Sequence, residues 1–197
     1  MNQDFWNERY GEADFAYGKQ ANDFLVAQDF PPASKILCLA EGEGRNAVHL
    51  AQQNHAVTCI DYSEAGIEKM KRLASEKGVE LTTICADLST VNLAANEWDA
   101  IVIIFGHFPI DLRQFVHKQV YNALKPGGKL VLEAYRKEQL EFKTGGPMNP
   151  GMLYSKEELA TDFADFSTIS IEEKQREVNE GPYHHGQAAV VQVVAVK

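Results

Sequence analysis

The fold of this chain is decided at Ile36-Leu37-Cys38-Leu39-Ala40-Glu41-Gly42-Glu43-Gly44-Arg45-Asn46. The apolar start predicts a strand, and the two glycines separated by one residue predict a tight turn that lets a ligand approach the backbone. Apolar residues then recur at helical spacing at Ala47, Val48, Leu50 and Ala51. Strand, glycine turn and helix form the first half of a nucleotide-type βαβ unit, with free helix N–H groups directed at the ligand.

The charge of this glycine loop is unusual for a phosphate site. Glu41 and Glu43 flank Gly42, and two carboxylates would repel a pyrophosphate. The loop therefore favours a ligand that lacks phosphates or carries a positive centre.

Length and composition indicate an ordinary globular protein. The 197 residues suit one domain, residues 1–197, with a sizeable core. The formal net charge of -9 argues against non-specific binding to nucleic acid or to an anionic membrane. No apolar run is long enough to span a bilayer, and no signal segment opens the chain, so we expect a cytoplasmic protein.

Strand and helix patterns alternate along most of the chain. Such alternation predicts an α/β fold, a Rossmann-like doubly wound sheet of seven strands with helices on both faces. Five strands should be parallel and the last two should form an antiparallel hairpin. The expected strands are Lys35–Ala40, Ala56–Ile60, Leu81–Ala86, Asp99–Phe105, Lys129–Ala134, Ile169–Val178 and Ala188–Val196. Residues 1–30 are expected to form a helical lid that carries Trp6 and Tyr10.

Acidic residues stand at the ends of two neighbouring predicted strands. Asp61 and Asp87 follow the second and third strands, and ligands of open α/β sheets bind at such carboxyl ends. Asp61 could accept both hydroxyls of a ribose. Cys38, Cys59 and Cys85 have no metal-type spacing, so we expect reduced, buried thiols in one layer beneath the ligand and no metal site.

Taken together, these residues resemble a class I S-adenosylmethionine-dependent methyltransferase of the small bacterial tellurite-resistance type. The resemblance rests on the glycine loop with Arg45-Asn46, the two strand-end acids, the turn Lys125-Pro126-Gly127-Gly128 and the terminal antiparallel strand. It implies S-adenosyl-L-methionine as cofactor, with Asp87 at the adenine amino group. The implied cofactor residues are Ala40, Glu41, Gly42, Glu43, Asn46, Asp61, Tyr62, Ala86, Asp87, Leu88, Phe105 and Gly106.

Two positions depart from the family pattern. Cys38 stands where an acid is common, and Ala40 replaces the first glycine of the motif. A Cβ at Ala40 would narrow the approach to the methionine part of the cofactor, and Cys38 cannot act as the usual carboxylate.

The expected activity is methyl transfer to a small-molecule acceptor, such as a thiol, a chalcogen oxyanion or a metabolite, by a monomer or homodimer. A small acceptor suits a chain with no added domain, and nucleic-acid partners are not expected. Whether a general base takes part is left open. Candidate substrate residues are Tyr17, His107, Tyr135, Arg136, His184 and His185.

Two other functions fit part of the pattern. Gly42, Gly44 and Ala47 satisfy a dinucleotide fingerprint, and Asp61 stands about 20 residues further on, as in an NAD-dependent oxidoreductase. A non-catalytic module that binds S-adenosylmethionine would also keep Asp61 and Asp87. Calorimetric titration with S-adenosylmethionine and NAD distinguishes a methyltransferase from an oxidoreductase. A measurement of turnover distinguishes an enzyme from a non-catalytic module.

Overall fold

A seven-stranded sheet forms the centre of the molecule, which the computed structural model describes for residues 2–197. The strand order is β3-β2-β1-β4-β5-β7-β6. Strands β1 to β5 are parallel, while β7 is antiparallel to both β5 and β6. The strands are β1 Lys35–Leu39, β2 Ala56–Asp61, β3 Thr82–Cys85, β4 Trp98–Ile104, β5 Leu124–Tyr135, β6 Thr168–Asn179 and β7 His185–Val196. The predicted Rossmann-like doubly wound sheet with a terminal hairpin is confirmed.

Helices cover both faces of this sheet. They are α1 Gln3–Gly11, α2 Asp23–Val26, α3 Arg45–Gln52, α4 Glu64–Lys77, α5 Ile110–Ala123, α6 Gln139–Phe142 and α7 Lys156–Asp162, with a 3-10 turn at Pro150–Met152. Alternate residues of β1 serve the two faces, as the two-residue period of a strand requires. Leu37 packs in the cluster with Val116 of α5, whereas Ile36 packs in the cluster with Met70 of α4.

Local side-chain and backbone signals set the ends of several helices. The Ser63 side chain accepts from the Gly66 N–H and caps α4, and Gly78 ends that helix in the left-handed conformation. Ser155 and Glu158 form a capping box at the start of α7. Helix α2 begins after Asn22, whose side chain accepts a hydrogen bond from the Leu25 N–H and so caps the helix.

The prediction that all three cysteines are buried in one layer beneath the ligand is wrong for Cys85. Cys38 and Cys59 are buried partners on β1 and β2, but Cys85 is exposed. The reason is the register between β2 and β3. Cys85 pairs with Asp61, and the strand partner of Cys59 is Thr83 rather than Cys85. Because β3 is an edge strand, its last residue is left partly uncovered.

The segment before β1 packs across the top of the sheet. The Asn7 side chain accepts from the Ser63 hydroxyl at 2.7 Å, which joins α1 to the start of α4. Tyr10 lies so close to Gly66 that a Cβ there would meet its ring at 3.0 Å. None of the helices in residues 2–197 is long and apolar enough to cross a membrane.

Candidate active site

A cavity of about 840 Å³ opens at the carboxyl ends of the central strands. Its floor is formed by the segments that follow β1, β2, β3 and β4, and its roof by α1 and the loop between β6 and β7. The structure brings all twelve predicted cofactor residues to this cavity: Ala40, Glu41, Gly42, Glu43, Asn46, Asp61, Tyr62, Ala86, Asp87, Leu88, Phe105 and Gly106.

The carboxylate of Glu41 fills the N-terminal end of α3. Its Oε1 accepts hydrogen bonds from the N–H groups of Asn46 at 3.0 Å and Ala47 at 2.9 Å. Burial raises the pKa of Glu41 to about 7, although these N–H donors act in the opposite direction. In a dinucleotide site such N–H groups would hold a phosphate, but here the chain's own side chain takes them.

Glu43 holds the segment before α2 in place. Its carboxylate forms an ion pair with Lys69 at 2.9 Å and accepts from the backbone N–H groups of Ala16 and Tyr17. The negative charge of Glu43 is therefore balanced inside the protein.

Asp61 and Asp87 differ in their surroundings. Asp61 is buried, and its two oxygens accept from Gly42 N–H at 2.8 Å and Ser63 N–H at 2.9 Å. Burial raises the pKa of Asp61. Asp87 is exposed and accepts from the nearby Ser89 N–H at 2.8 Å. Asp61 thus ties the glycine loop to β2, while Asp87 stands at the rim.

Two residues that line the cavity adopt the left-handed backbone conformation without being glycine. Ala40 has φ 52° and Phe105 has φ 53°, each directly after its strand. Such a conformation costs roughly 1–2 kcal/mol for a residue with a Cβ. This explains why the related motif carries glycine at the position of Ala40. Gly106 faces it, since a Cβ at Gly106 would lie 3.5 Å from the Ala40 Cβ.

Cys38 lies beneath Ala40 as a neutral thiol. Its contact with the Cys59 thiol and its burial raise its pKa well above the ordinary value. The side chain packs in the cluster with Ala47 and Leu50. Where related chains carry an acid, this position therefore contributes packing rather than charge.

Aromatic side chains roof the cavity. Trp6 stacks on Tyr10 with ring centroids 5.3 Å apart, and Tyr17 lies 4.4 Å from the ring of His184. Tyr10 reaches down to the glycine loop, where a Cβ at Gly42 would come within 2.7 Å of its hydroxyl. The position of these rings agrees with a lid, and the lid role of residues 1–30 stays a prediction.

The predicted substrate residues divide into two groups. Tyr17, His107 and His184 line the cavity, whereas Tyr135, Arg136 and His185 lie outside it. Tyr135 is fully buried beneath Phe105. Arg136 forms an ion pair with Glu173 at 2.9 Å. His185 is exposed at the start of β7.

His107 uses both ring nitrogens inside the protein. Nδ1 lies 2.9 Å from the Met152 carbonyl, which can only accept, so this nitrogen carries the proton. Nε2 accepts from the Tyr135 N–H at 3.3 Å. Burial lowers the pKa of His107 to about 4. The ring is thus a neutral connector between β5 and the 3-10 turn, with no nitrogen left for a substrate proton.

His184 has a different environment. Its Nδ1 lies 3.8 Å from a carboxylate oxygen of Glu180, and its ring packs against Tyr17 and Phe105. Burial lowers the pKa of His184 despite the neighbouring carboxylate. The imidazole is therefore neutral near pH 7, the state that a proton acceptor requires.

A buried polar network behind His184 is absent from the sequence-based prediction. The Asn22 amide donates to Glu133 at 2.9 Å and to Glu180 at 2.8 Å. Arg176 pairs with Glu133, and Arg45 pairs with Glu180, each at 2.5 Å. Burial opposes the charge of Glu180, but His184 and Arg45 hold its pKa at about 2. The one sequence signal was a charged Glu133 within an apolar strand.

Comparisons with known proteins agree with this geometry. A family model described as a methyltransferase domain matches residues 36–128, from β1 into the first part of β5. A ubiquinone/menaquinone biosynthesis C-methyltransferase from Geotalea daltonii is 31% identical over 120 residues, which are 58% of this chain and 48% of that protein. The chain thus spans about half the length of the curated relatives it matches.

Solved structures match nearly the whole chain at low identity. The TehB structure from Haemophilus influenzae has a TM-score of 0.73 and 18% identity and covers 99% of this chain and 66% of TehB. A structure from a study of the conversion of a disulfide bond into a thioacetal group during echinomycin biosynthesis has a TM-score of 0.77 and 19% identity. That match covers 99% of this chain and 93% of the other.

Residues 36–128 of this chain thus match a methyltransferase domain, and the motifs and the fold are similar to those of class I S-adenosylmethionine-dependent methyltransferases. S-adenosylmethionine is the cofactor that this similarity implies. The residues present suit that molecule, because Glu41 occupies the N–H groups that a phosphate would need. Among residues 2–197 no cluster of three or more His, Cys, Asp or Glu side chains could hold a metal ion.

Proposed function

We propose that this protein transfers a methyl group from S-adenosylmethionine to a small-molecule acceptor. The observation that carries the proposal is the cavity itself: a glycine loop whose phosphate position is filled by Glu41, beside the two strand-end acids Asp61 and Asp87. A cationic, phosphate-free cofactor suits this arrangement, whereas the pyrophosphate of NAD does not.

The cofactor would lie along the strand ends in the order of the sheet. Asp87, with its exposed carboxylate, is suited to the adenosine end, and Asp61 to the ribose. Backbone groups of the loop at Ala40 and Gly42 are suited to the methionine part. When bound, the cofactor supplies an electrophilic methyl group.

The chain's own residues would align the acceptor and exclude water. Rings of Trp6, Tyr10 and Tyr17 cover the cavity, and methyl transfer needs chiefly alignment at near-attack distance. His184 is the candidate proton acceptor, because it is neutral, lines the cavity and is backed by Glu180. His107 is excluded from this role by its two internal hydrogen bonds.

The shape of the cavity supports a small acceptor. Its volume of about 840 Å³ lies in the range of small-molecule sites, about 300–1,000 Å³. Beyond the cofactor positions the lining includes the apolar side chains of Phe108, Leu112 and Met152. The matched relatives include a quinone-biosynthesis C-methyltransferase and a structure from a study of thioacetal formation, so carbon and sulfur acceptors both belong in the trial set.

Calorimetric titration with S-adenosylmethionine, S-adenosylhomocysteine and NAD tests the cofactor. We expect the first two to bind, and we expect titration with NAD to give no heat of binding. A panel of thiols, chalcogen oxyanions and quinols, followed by release of S-adenosylhomocysteine, tests the transfer. Binding without turnover of any panel member would favour the non-catalytic module, and binding of NAD alone would overturn the proposal.

A further inference from the structure

Arg9 places at the cavity a cation that forms no ion pair with any of residues 2–197. The side chain lines the cavity and is half-buried. Across residues 2–197, its guanidinium forms no ion pair within 4.0 Å, whereas Arg45, which lines the same cavity, is paired with Glu180. A cation held beside a largely acidic site, yet left unpaired there, needs an explanation.

Aromatic groups hold the guanidinium in one orientation. Its central carbon lies 3.8 Å from the ring centroid of Tyr183 and 5.0 Å from that of Phe5. Nη1 donates to the Tyr17 hydroxyl at 3.2 Å. Stacking leaves the edge of the guanidinium, with its fork of N–H donors, available for a carboxylate or an oxyanion. Because the side chain is already immobilised, binding would cost little further entropy.

Tyr17 provides a second donor beside Arg9. Burial raises the pKa of Tyr17, so its hydroxyl keeps the proton. That oxygen accepts from Arg9, and its own hydrogen is available for a ligand. Arg9 and Tyr17 together thus form a site with hydrogen-bond donors and a positive charge, which is the chemistry that recognises an anion.

The position of Arg9 in the fold favours the acceptor over the cofactor as its ligand. Tyr183 and His184 belong to the loop between β6 and β7, which lie beyond β5 in the sheet. Asp61 and Asp87 lie at the opposite side, on β2 and after β3. Arg9 therefore contacts the loop that carries His184, and this loop joins strands on the opposite side of the sheet from β2 and β3.

We propose that Arg9, together with the Tyr17 hydroxyl, binds an anionic group of the methyl acceptor. The acceptor class is then a small molecule that carries a carboxylate or another oxyanion, in preference to a neutral alcohol or an amine. This inference rests on the proposed function, since it assigns a ligand to the same cavity.

The test compares binding of matched probes to the complex with S-adenosylhomocysteine. Mercaptoacetate carries a thiol and a carboxylate, 2-mercaptoethanol carries the thiol without the charge, and selenite is a small oxyanion. Arg9→Gln removes the cation, Arg9→Lys keeps the charge without the fork, and Arg72→Gln makes the same charge change at an exposed site on α4. We expect at least one anionic probe to bind more tightly than 2-mercaptoethanol. Arg9→Gln should weaken the binding of that anionic probe at least tenfold.

Further readouts separate the possible outcomes. Arg72→Gln should match the wild type, and Arg9→Lys should fall between it and Arg9→Gln. One outcome is that Arg9→Gln weakens the binding of S-adenosylhomocysteine but not that of 5′-methylthioadenosine, which lacks the amino acid. In that case the anion recognised is the cofactor's carboxylate, and the acceptor assignment is overturned. Absence of any preference for the anionic probes overturns it as well. Failure of S-adenosylhomocysteine to bind the wild type would instead count against the proposed function.

Discussion

The carboxylate of Asp61 accepts a hydrogen bond of 2.8 Å from the backbone N–H of Gly42. This contact joins the end of β2 to the glycine loop that follows β1. Asp61 is thereby both part of the loop's support and a candidate ligand of the cofactor. Asp87 has no comparable structural task, because its carboxylate is exposed and bonds to its own turn at Ser89.

Replacing each of these acids by alanine should therefore have different effects. Asp61→Ala should weaken the binding of S-adenosylhomocysteine by about 1–3 kcal/mol and also lower the free energy of unfolding. Asp87→Ala should weaken binding while changing stability by less than about 0.5 kcal/mol. Calorimetry and urea denaturation measure the two effects. Unchanged affinity in a folded Asp61→Ala protein would remove this residue from the ligand site.

Ala40→Gly should stabilise the protein. At φ 52° the alanine Cβ is strained, and glycine relieves that strain at some cost in unfolded-chain entropy. We expect a gain of about 0.5–1 kcal/mol in urea denaturation. Ala100→Gly, inside β4, is the matched control and should lose a similar amount. A loss at both positions would contradict the proposed strain at Ala40.

The stability of the protein should depend on Glu41 between about pH 4.5 and 7. Folding raises the pKa of Glu41 from 4.5 to about 7, chiefly through burial. In this window the folded chain binds a proton that the unfolded chain has released, so this residue makes stability fall as pH rises. Glu41→Gln can still accept the helix N–H bonds and should remove the effect.

Urea denaturation near pH 5 and near pH 8 measures this difference. The free energy of unfolding of Glu41→Gln, relative to that of the wild type, should rise by about 1–3 kcal/mol from the lower to the higher pH. Asp61 shifts in the same direction but is present in both proteins. Glu180, whose pKa is lowered to about 2, acts below this window. A constant difference between the two proteins would show that Glu41 does not titrate there.

Arg176→Ala should be strongly destabilising. Arg176 pairs with the fully buried Glu133 and with Glu180, so its removal leaves buried carboxylates with less compensation. We expect a loss of about 3–5 kcal/mol. Lys174→Ala, on the same strand, breaks an exposed pair with Glu172 and should change stability by less than about 1 kcal/mol. Similar losses in both variants would argue against the special role of the buried network.

Much of the fold follows from local sequence patterns. The apolar run before Gly42 predicted β1 close to its observed position. The Ser63 cap and the Ser155–Glu158 capping box, which begin α4 and α7, likewise act within a few residues. The carboxyl-edge rule for parallel strands likewise predicted that Asp61 and Asp87 would lie beside the glycine loop, and both line its cavity.

Side-chain partners far apart in sequence could not be predicted in this way. Asn22 bonds Glu180 across 158 positions, and Glu43 meets Lys69 only because α4 packs beside the loop. The register of β3 also escaped prediction, which left Cys85 exposed rather than buried. Such pairings depend on how whole elements pack, and no periodicity within one element carries that information.

The glycine loop shows this division most clearly. Its residues alone established a strand, a turn and a helix, and its acidic character indicated a ligand without phosphates. The packed structure assigned the two carboxylates to different tasks: Glu41 to the N–H groups of α3, and Glu43 to Lys69. Backbone conformation is set by neighbouring residues, whereas the partner of a buried charge is set by whichever elements fold around it.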